Sequence, residues 1–269
     1  MSNSIVVKPL PFASIAASST AAGYDAAFMG NDHMGVVWKS TPPPVGTARP
    51  ITVDMGADVV IDTALLLGCT GADSGWTLRV QAATEAQGNT FPAGSWSGAT
   101  LPFLAGAAMP VTGRGRALWS APASPPPPSR YWRFTIGGLN GAPATVARLI
   151  LGRKIQLSRN VVYGASFGVR DLGSVDFSRR GILLRQEGKK LRTVNITYPA
   201  ATRAEVESYV HPLLEELGNT GALAFILDPD ADDQRQNRIW YGPMIGDLGT
   251  VWANVTGFEW RANIVDLGA

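Results

Sequence analysis

The sequence predicts a mainly β protein in two parts: a β-sandwich over the first half, then an α+β unit with one amphipathic helix. Three observations predict it. Glycine and proline supply 30 and 19 of the 269 residues, a composition that favours many turns over long helices. Short alternations of apolar and polar residues, the period-2 pattern of half-buried strands, recur along the chain, whereas helical periodicity longer than two turns first appears after residue 200. Charge is also uneven, with 16 charged side chains in residues 1–152 and 28 in residues 153–269. That shift fits a domain boundary, which we place at residue 155, giving domains 1–155 and 156–269.

Composition excludes several classes. A net charge of +2 over this length is no phosphate-binding surface, which would cluster Lys and Arg on one face. Eight Trp and 45% apolar residues argue for a packed core and against disorder. The single cysteine, Cys69, excludes an intrachain disulfide. Pro9 and Pro11 break the short apolar runs of the N-terminus, so no signal peptide is expected there. No window approaches the ~18 apolar residues of a membrane span. With two His and one Cys, no zinc site can be assembled from the preferred ligands, and no metal or cofactor is expected.

In the first half, Ile51 to Met55 and Val59 to Leu67 are strand-like and joined across Gly56-Ala57-Asp58. Trp76 to Val80 and Tyr131 to Ile136 alternate strictly, and Val146 to Ile155 supplies a last strand. Polyproline runs at Pro42–Pro44 and Pro125–Pro128 must be surface connections, since proline cannot enter a sheet interior. In the second half, Val169 to Leu184 and Lys190 to Tyr198 are strand-like, with Glu187-Gly188-Lys189 as the turn between them. Thr202 and Glu205 form a capping box. Val206, Tyr209, Val210, Leu213, Leu214 and Leu217 then make one apolar helical stripe, closed by Gly218. Pro212 lies inside it and predicts a kink or break. Ala222 to Leu227, Arg238 to Ile245 and Val251 to Val265 complete the strands.

The order of motifs in residues 15–155 resembles the galactose-binding-like, discoidin-type jelly roll. The carriers are Trp38, Ile51-Thr52-Val53-Asp54-Met55-Gly56, Trp76–Val80, Arg130-Tyr131-Trp132-Arg133-Phe134 and Leu149-Ile150-Leu151-Gly152. Met55 stands where the pattern has Leu, and the cysteine pair of secreted members is missing. Residues 156–269 are similar to the tail-tube-like fold of tail tube, distal-tail and baseplate-hub proteins of long-tailed bacteriophages. Here the carriers are the Thr202–Gly218 helix, Phe225–Pro229, Trp240-Tyr241-Gly242-Pro243 and Phe258–Ile264. Together these resemblances imply a structural virion component of a phage tail (distal tail, tail tip or baseplate), made in the host cytoplasm. It would assemble into an oligomeric ring with copies of itself and other tail proteins, and contact host cell-surface carbohydrate. The alternative is a carbohydrate-binding protein with no assembly role.

Candidate ligand or subunit contacts are Trp38, Trp76, Trp96 and Arg79, with Trp119 and Asn89 beside them. Sugars are recognised by aromatic faces plus a few orienting polar groups, while the competing reading places Trp38 and Trp76 in the core. Other motifs carry less. Gly164-Ala165-Ser166-Phe167-Gly168 matches a nucleophile elbow, but strand and turn follow it rather than a helix, and His211 sits on the predicted helix. No catalytic residue is expected. Asp228-Pro229-Asp230-Ala231-Asp232-Asp233 resembles the start of a calcium loop, yet lacks the Gly and bidentate Glu that such loops need. Glu205, Glu207, Glu215 and Glu216 fall on the polar face of the helix as a solvated surface.

Overall fold

The computed structural model describes residues 2–254 and 257–268. The first half is a two-sheet antiparallel sandwich. Its six-stranded sheet runs Ser14–Ala17, Arg49–Val59, Ser129–Gly137, Thr77–Ala83, Trp96–Ser97, with Leu101–Pro102 also pairing with Thr77–Ala83. Its three-stranded sheet runs Arg148–Gly152, Thr63–Thr70, Arg114–Ser120. Alternation sends Leu78, Val80 and Ala82 inward with Ile51, Val53, Trp132 and Phe134, where they meet Leu66, Ala117, Trp119 and Leu149 of the facing sheet. The chain does not turn at Gly56-Ala57-Asp58 as expected. Gly56 takes φ 82°, a conformation open to glycine, and the strand continues through it to Val59.

The three-stranded sheet is buried on both faces, which is why Thr63–Thr70 reads as a continuous apolar run and not as an alternation. Behind it lies a bridging sheet ordered Lys154–Ile155, Ile5–Val7, Ala222–Ile226, Ile239–Pro243. Leu65, Leu67 and Ile150 pack on Ile5, Val7, Ala224 and Ile226. The chain's first strand therefore pairs with residues 222–226 of the second half, across the division expected at 155. The far face of the bridging sheet (Val6, Leu223, Phe225, Trp240) packs on Val194, Ile196, Tyr198 and Trp260 and on helical Val206, Val210 and Leu213. Val194, Ile196, Tyr198 and Trp260 belong to a fourth sheet, ordered Ser166–Asp171, Lys190–Thr202, Gly257–Val265, Gly249–Asn254. The run expected as one strand from Val251 to Val265 is thus two antiparallel strands, and Val255 and Thr256 lie outside the described residues.

The capping box forms as expected: the Thr202 amide donates to Glu205 Oε2 (2.8 Å) and the Glu205 amide to Thr202 Oγ1 (3.3 Å). The helix is broken into Arg203–Glu205, a π turn Val206–Val210, and His211–Leu217. The His211 amide reaches back five residues to the Val206 carbonyl just before Pro212, which has no N–H to continue an α pattern. This wider turn shifts the phase of the stripe. Val206, Val210 and Leu213 are buried, whereas Tyr209, expected among them, faces solvent.

The region expected as one strand from Val169 to Leu184 is instead most of a hairpin arm. Ser166–Asp171 pairs with Lys190–Thr202, and Ser174–Phe177 with Leu183–Gln186 beyond it. The turn is at Ser178-Arg179-Arg180-Gly181, closed by the Gly181 amide on the Ser178 carbonyl (2.9 Å) with Gly181 at φ 75°. Glu187-Gly188-Lys189, expected as the turn, is an irregular crossing opposite Leu172 and Gly173.

Candidate functional sites

Of the four residues predicted to meet a ligand, two are core residues. Trp38 is 0% exposed, its indole N–H donating to the Ser19 carbonyl (3.2 Å), and Trp76 is 1% exposed against Phe103 (5.5 Å). Neither ring offers a face to a sugar or a subunit. Trp96 is half-buried and meets Trp119 edge-on at 6.0 Å, so most of its ring also belongs to the sandwich core. Arg79 alone is exposed, on the outer side of the six-stranded sheet, where its Nε and Nη2 donate to Ser97 Oγ (3.1 and 2.8 Å).

The strand register defines what surrounds Arg79. One row across the sheet holds Ala16, Thr52, Arg133, Gln81 and Ser97, and the next holds Pro50, Thr135 and Arg79. Arg79 and Arg133 are thus diagonal neighbours on adjacent strands, separated by the ~7–8 Å usual for such pairs. The Arg133 guanidinium lies 3.9 Å over the ring of Phe91 and donates to the Asn89 carbonyl (3.2 Å). Phe91 itself sits at φ 57° without being glycine. Such a conformation persists only where its surroundings hold it. One edge of the face is already neutralised. Arg130 grips Asp54 through two bonds (2.8 and 3.0 Å) and Glu85 through a third, holding the Asp54 carboxyl below the ordinary carboxylate range.

The arm is a second surface, and its apolar content was not singled out in the sequence. Cross-strand partners Val175↔Arg185 and Phe177↔Leu183 share one face; Ser174↔Gln186 and Asp176↔Leu184 share the other. Val175, Phe177 and Leu183 are 70, 64 and 52% exposed, so the arm carries an amphipathic pattern with its apolar side uncovered. At its root, Phe167 stacks on Trp240 (5.6 Å) and the Arg192 guanidinium lies 4.7 Å over that indole. A groove of about 680 Å³ runs there between Val111, Phe167, Val169, Lys190 and Trp240. The sheet bearing the arm ends in two strands with no further partner among the described residues, Ser166–Asp171 and Gly249–Asn254. Val251 and Trp252 are exposed on the second of them.

The remaining motifs are absorbed structurally. Arg238 pairs with both Asp228 and Asp232 (3.3 Å each) and Asp230 accepts from the Ser2 amide (2.9 Å), so the acidic loop is engaged by cations and amides of the chain itself. No group of three or more metal-ligating side chains occurs among the described residues. Ser166 lies on an open strand and accepts from Asn195 (3.2 Å), while His211 bonds Thr250 (2.9 Å). The strand–turn–helix context of a nucleophile elbow is not there. No described helix is long and apolar enough to cross a membrane. Burial raises the Glu205 carboxyl, but the Ser158 and Thr202 amides that it accepts from outweigh this and leave it below the usual range.

No family model matches the chain, and no curated protein matches it. Solved structures similar to it include carbohydrate-binding modules that each span about half of this chain. They include chitosan-binding module 1 of a chitosanase/glucanase from Paenibacillus sp. IK-5 (15% identity, 55% of this chain and 99% of that one, TM-score 0.41). Another is the family 32 carbohydrate-binding module of C. perfringens NanJ in complex with galactose (12%, 55% and 99%, 0.40). A third is a fucose-binding module of Streptococcus pneumoniae (14%, 55% and 96%, 0.40).

Proposed function

We propose that the chain is an assembly protein that joins copies of itself through its arm, in the setting of a phage tail tip or baseplate. One observation carries this reading: an amphipathic two-stranded arm with its apolar side in solvent. Past Asp171 the arm projects over eight or nine residues, roughly 25–30 Å at the rise of a strand. Isolated two-stranded hairpins are marginal in water, and a contiguous apolar surface of this kind marks an interaction site. The two open edges of the same sheet give such contacts a direction. Pairing one edge with the other edge of the next copy is head-to-tail, and head-to-tail contacts form rings where the rotation between copies closes and open filaments where it does not. Sedimentation velocity and negative-stain images of the intact protein test this. A discrete ring or ring fragment is expected, and it should fall to monomers in Phe177→Ser/Leu183→Ser with little change in melting temperature. A wild type that stays monomeric at high concentration overturns the proposal.

A second reading, saccharide recognition by the sandwich, is favoured by the Arg79 face. The three-stranded sheet is covered on both sides, so the outer side of the six-stranded sheet is the broad face this sandwich keeps for solvent. It presents hydroxyl, amide and guanidinium groups in register. The two readings are compatible, since arm and face lie on different halves.

A further inference from the structure

We infer that the outer face of the six-stranded sheet takes an anionic saccharide, with Arg79 and Arg133 as the groups that read its charge. The inference rests on the saccharide reading and adds the class of sugar. Neither arginine has a carboxylate partner among the described residues, although the sandwich pairs Arg130 with Asp54 and Glu85, Arg148 with Asp32, and Arg116 with Asp266. The nearby acids are engaged elsewhere: Asp54 and Glu85 are held by Arg130, and Asp58 accepts from the Glu85 amide (2.8 Å).

Both guanidiniums are nonetheless fixed in place. Arg79 is held by Ser97 Oγ and Arg133 by the Phe91 ring and the Asn89 carbonyl, so little side-chain freedom remains to be lost on binding. Each keeps N–H donors for a ligand, since a guanidinium carries five. A planar guanidinium matches carboxylate and sulfate geometry better than an ammonium does. Between and beside them, Gln81, Thr135 and Thr52 supply neutral groups suited to sugar hydroxyls. Two unpaired arginines do not make a nucleic-acid surface, which would need a basic cluster.

Calorimetric titration of the intact protein with four probes tests this: a hyaluronan octasaccharide (carboxylate only), a heparin octasaccharide (sulfate and carboxylate), a neutral malto-oligosaccharide of the same length, and poly-L-glutamate. We expect one or both acidic saccharides to bind and to weaken as salt rises. Binding should fall at least tenfold in Arg79→Gln and in Arg79→Lys, which keep the particle size of the wild type. Hyaluronan and heparin together separate a carboxylate from a sulfate as the anion that is read. Equal binding of the neutral sugar leaves saccharide recognition standing and overturns the role of charge. Silence toward every saccharide at millimolar concentration removes both. Equal binding of poly-L-glutamate, or wild-type affinity in Arg79→Gln, overturns the assignment of this face to a sugar.

Discussion

Replacing Asp266 by alanine should unfold the protein at a markedly lower temperature than any surface change. Asp266 is 0% exposed and sits where the two halves meet. Its carboxylate takes Arg116 Nη2 at 2.8 Å, Arg192 Nη1 at 3.6 Å, and the amides of Gly268 at 3.0 Å and Tyr241 at 3.2 Å. Arg116, 2% exposed, comes from the sandwich strand Arg114–Ser120 and also donates to the Ile239 carbonyl. Truncation leaves that guanidinium buried without its counter-charge, a situation that costs about 3–5 kcal/mol. Against a total stability of ~5–15 kcal/mol this is a large share. For a chain of this size it corresponds to a fall in melting temperature of roughly 6–20 °C. Calorimetry or urea denaturation at pH 7 gives the number. Glu187→Ala serves as the control, because its pair with Arg185 is solvated on both sides and should be worth under ~1 kcal/mol. Adding Arg116→Met to the Asp266 variant should recover part of the loss, since the fully buried guanidinium is then gone and only the partly exposed Arg192 has lost its partner. A loss below about 1 kcal/mol in Asp266→Ala would refute the claim that this pair locks the halves.

Three further outcomes follow from the same packing. Glu205→Gln should cost about 1 kcal/mol at pH 7, the worth of a helix cap. The wild-type carboxyl is held below its unfolded value, so its contribution is present above the ordinary carboxylate value of ~4.3 and is lost as pH falls from there through the lower folded value, below which the two proteins should converge in urea midpoint. The Tyr198 phenol is pushed up to about 12 by burial, against the opposing bond from Ser4. Its contribution is full below the unfolded value of ~10 and disappears between there and about 12. Stability measured across that alkaline range should therefore fall less steeply in Tyr198→Phe. Gly242→Ala would place a methyl carbon 1.9 Å from the Val265 carbonyl oxygen, and it should cost ~3 kcal/mol or more by chemical denaturation, or abolish soluble expression.

Much of the fold was legible because it is written in alternation. In Trp76-Thr77-Leu78-Arg79-Val80 the parity that sends Leu78 and Val80 inward also sends Trp76 inward and Arg79 out, and the structure agrees on all four. The same parity was the available signal that Trp76 is a core residue. Trp38 offered none, since its two-residue strand is set only by pairing with Thr145–Val146, a partner more than a hundred residues away. Arg114–Ser120 was missed because Gly115 and two arginines hide a strand whose Arg116 is buried by an ion pair outside the sandwich. The arm was read with its turn in the wrong place, since Glu187-Gly188-Lys189 carries turn chemistry as strong as Ser178-Arg179-Arg180-Gly181. Only strand pairing separates the two. The Arg79–Arg133 face could not be read at all from local pattern, because it exists through the register of strands distant in sequence.

The placement of Ile5–Val7 has a consequence for how the molecule is made. These residues are synthesised well ahead of their partner strand, Ala222–Ile226, which follows more than two hundred residues later. Throughout that interval the nascent sandwich carries Leu65, Leu67 and Ile150 on a bare apolar sheet face. Closure must then cross a long loop, a slow and aggregation-exposed step. A shortened product ending near residue 155 would keep that face permanently open and clump, so premature termination yields insoluble material and not a working half.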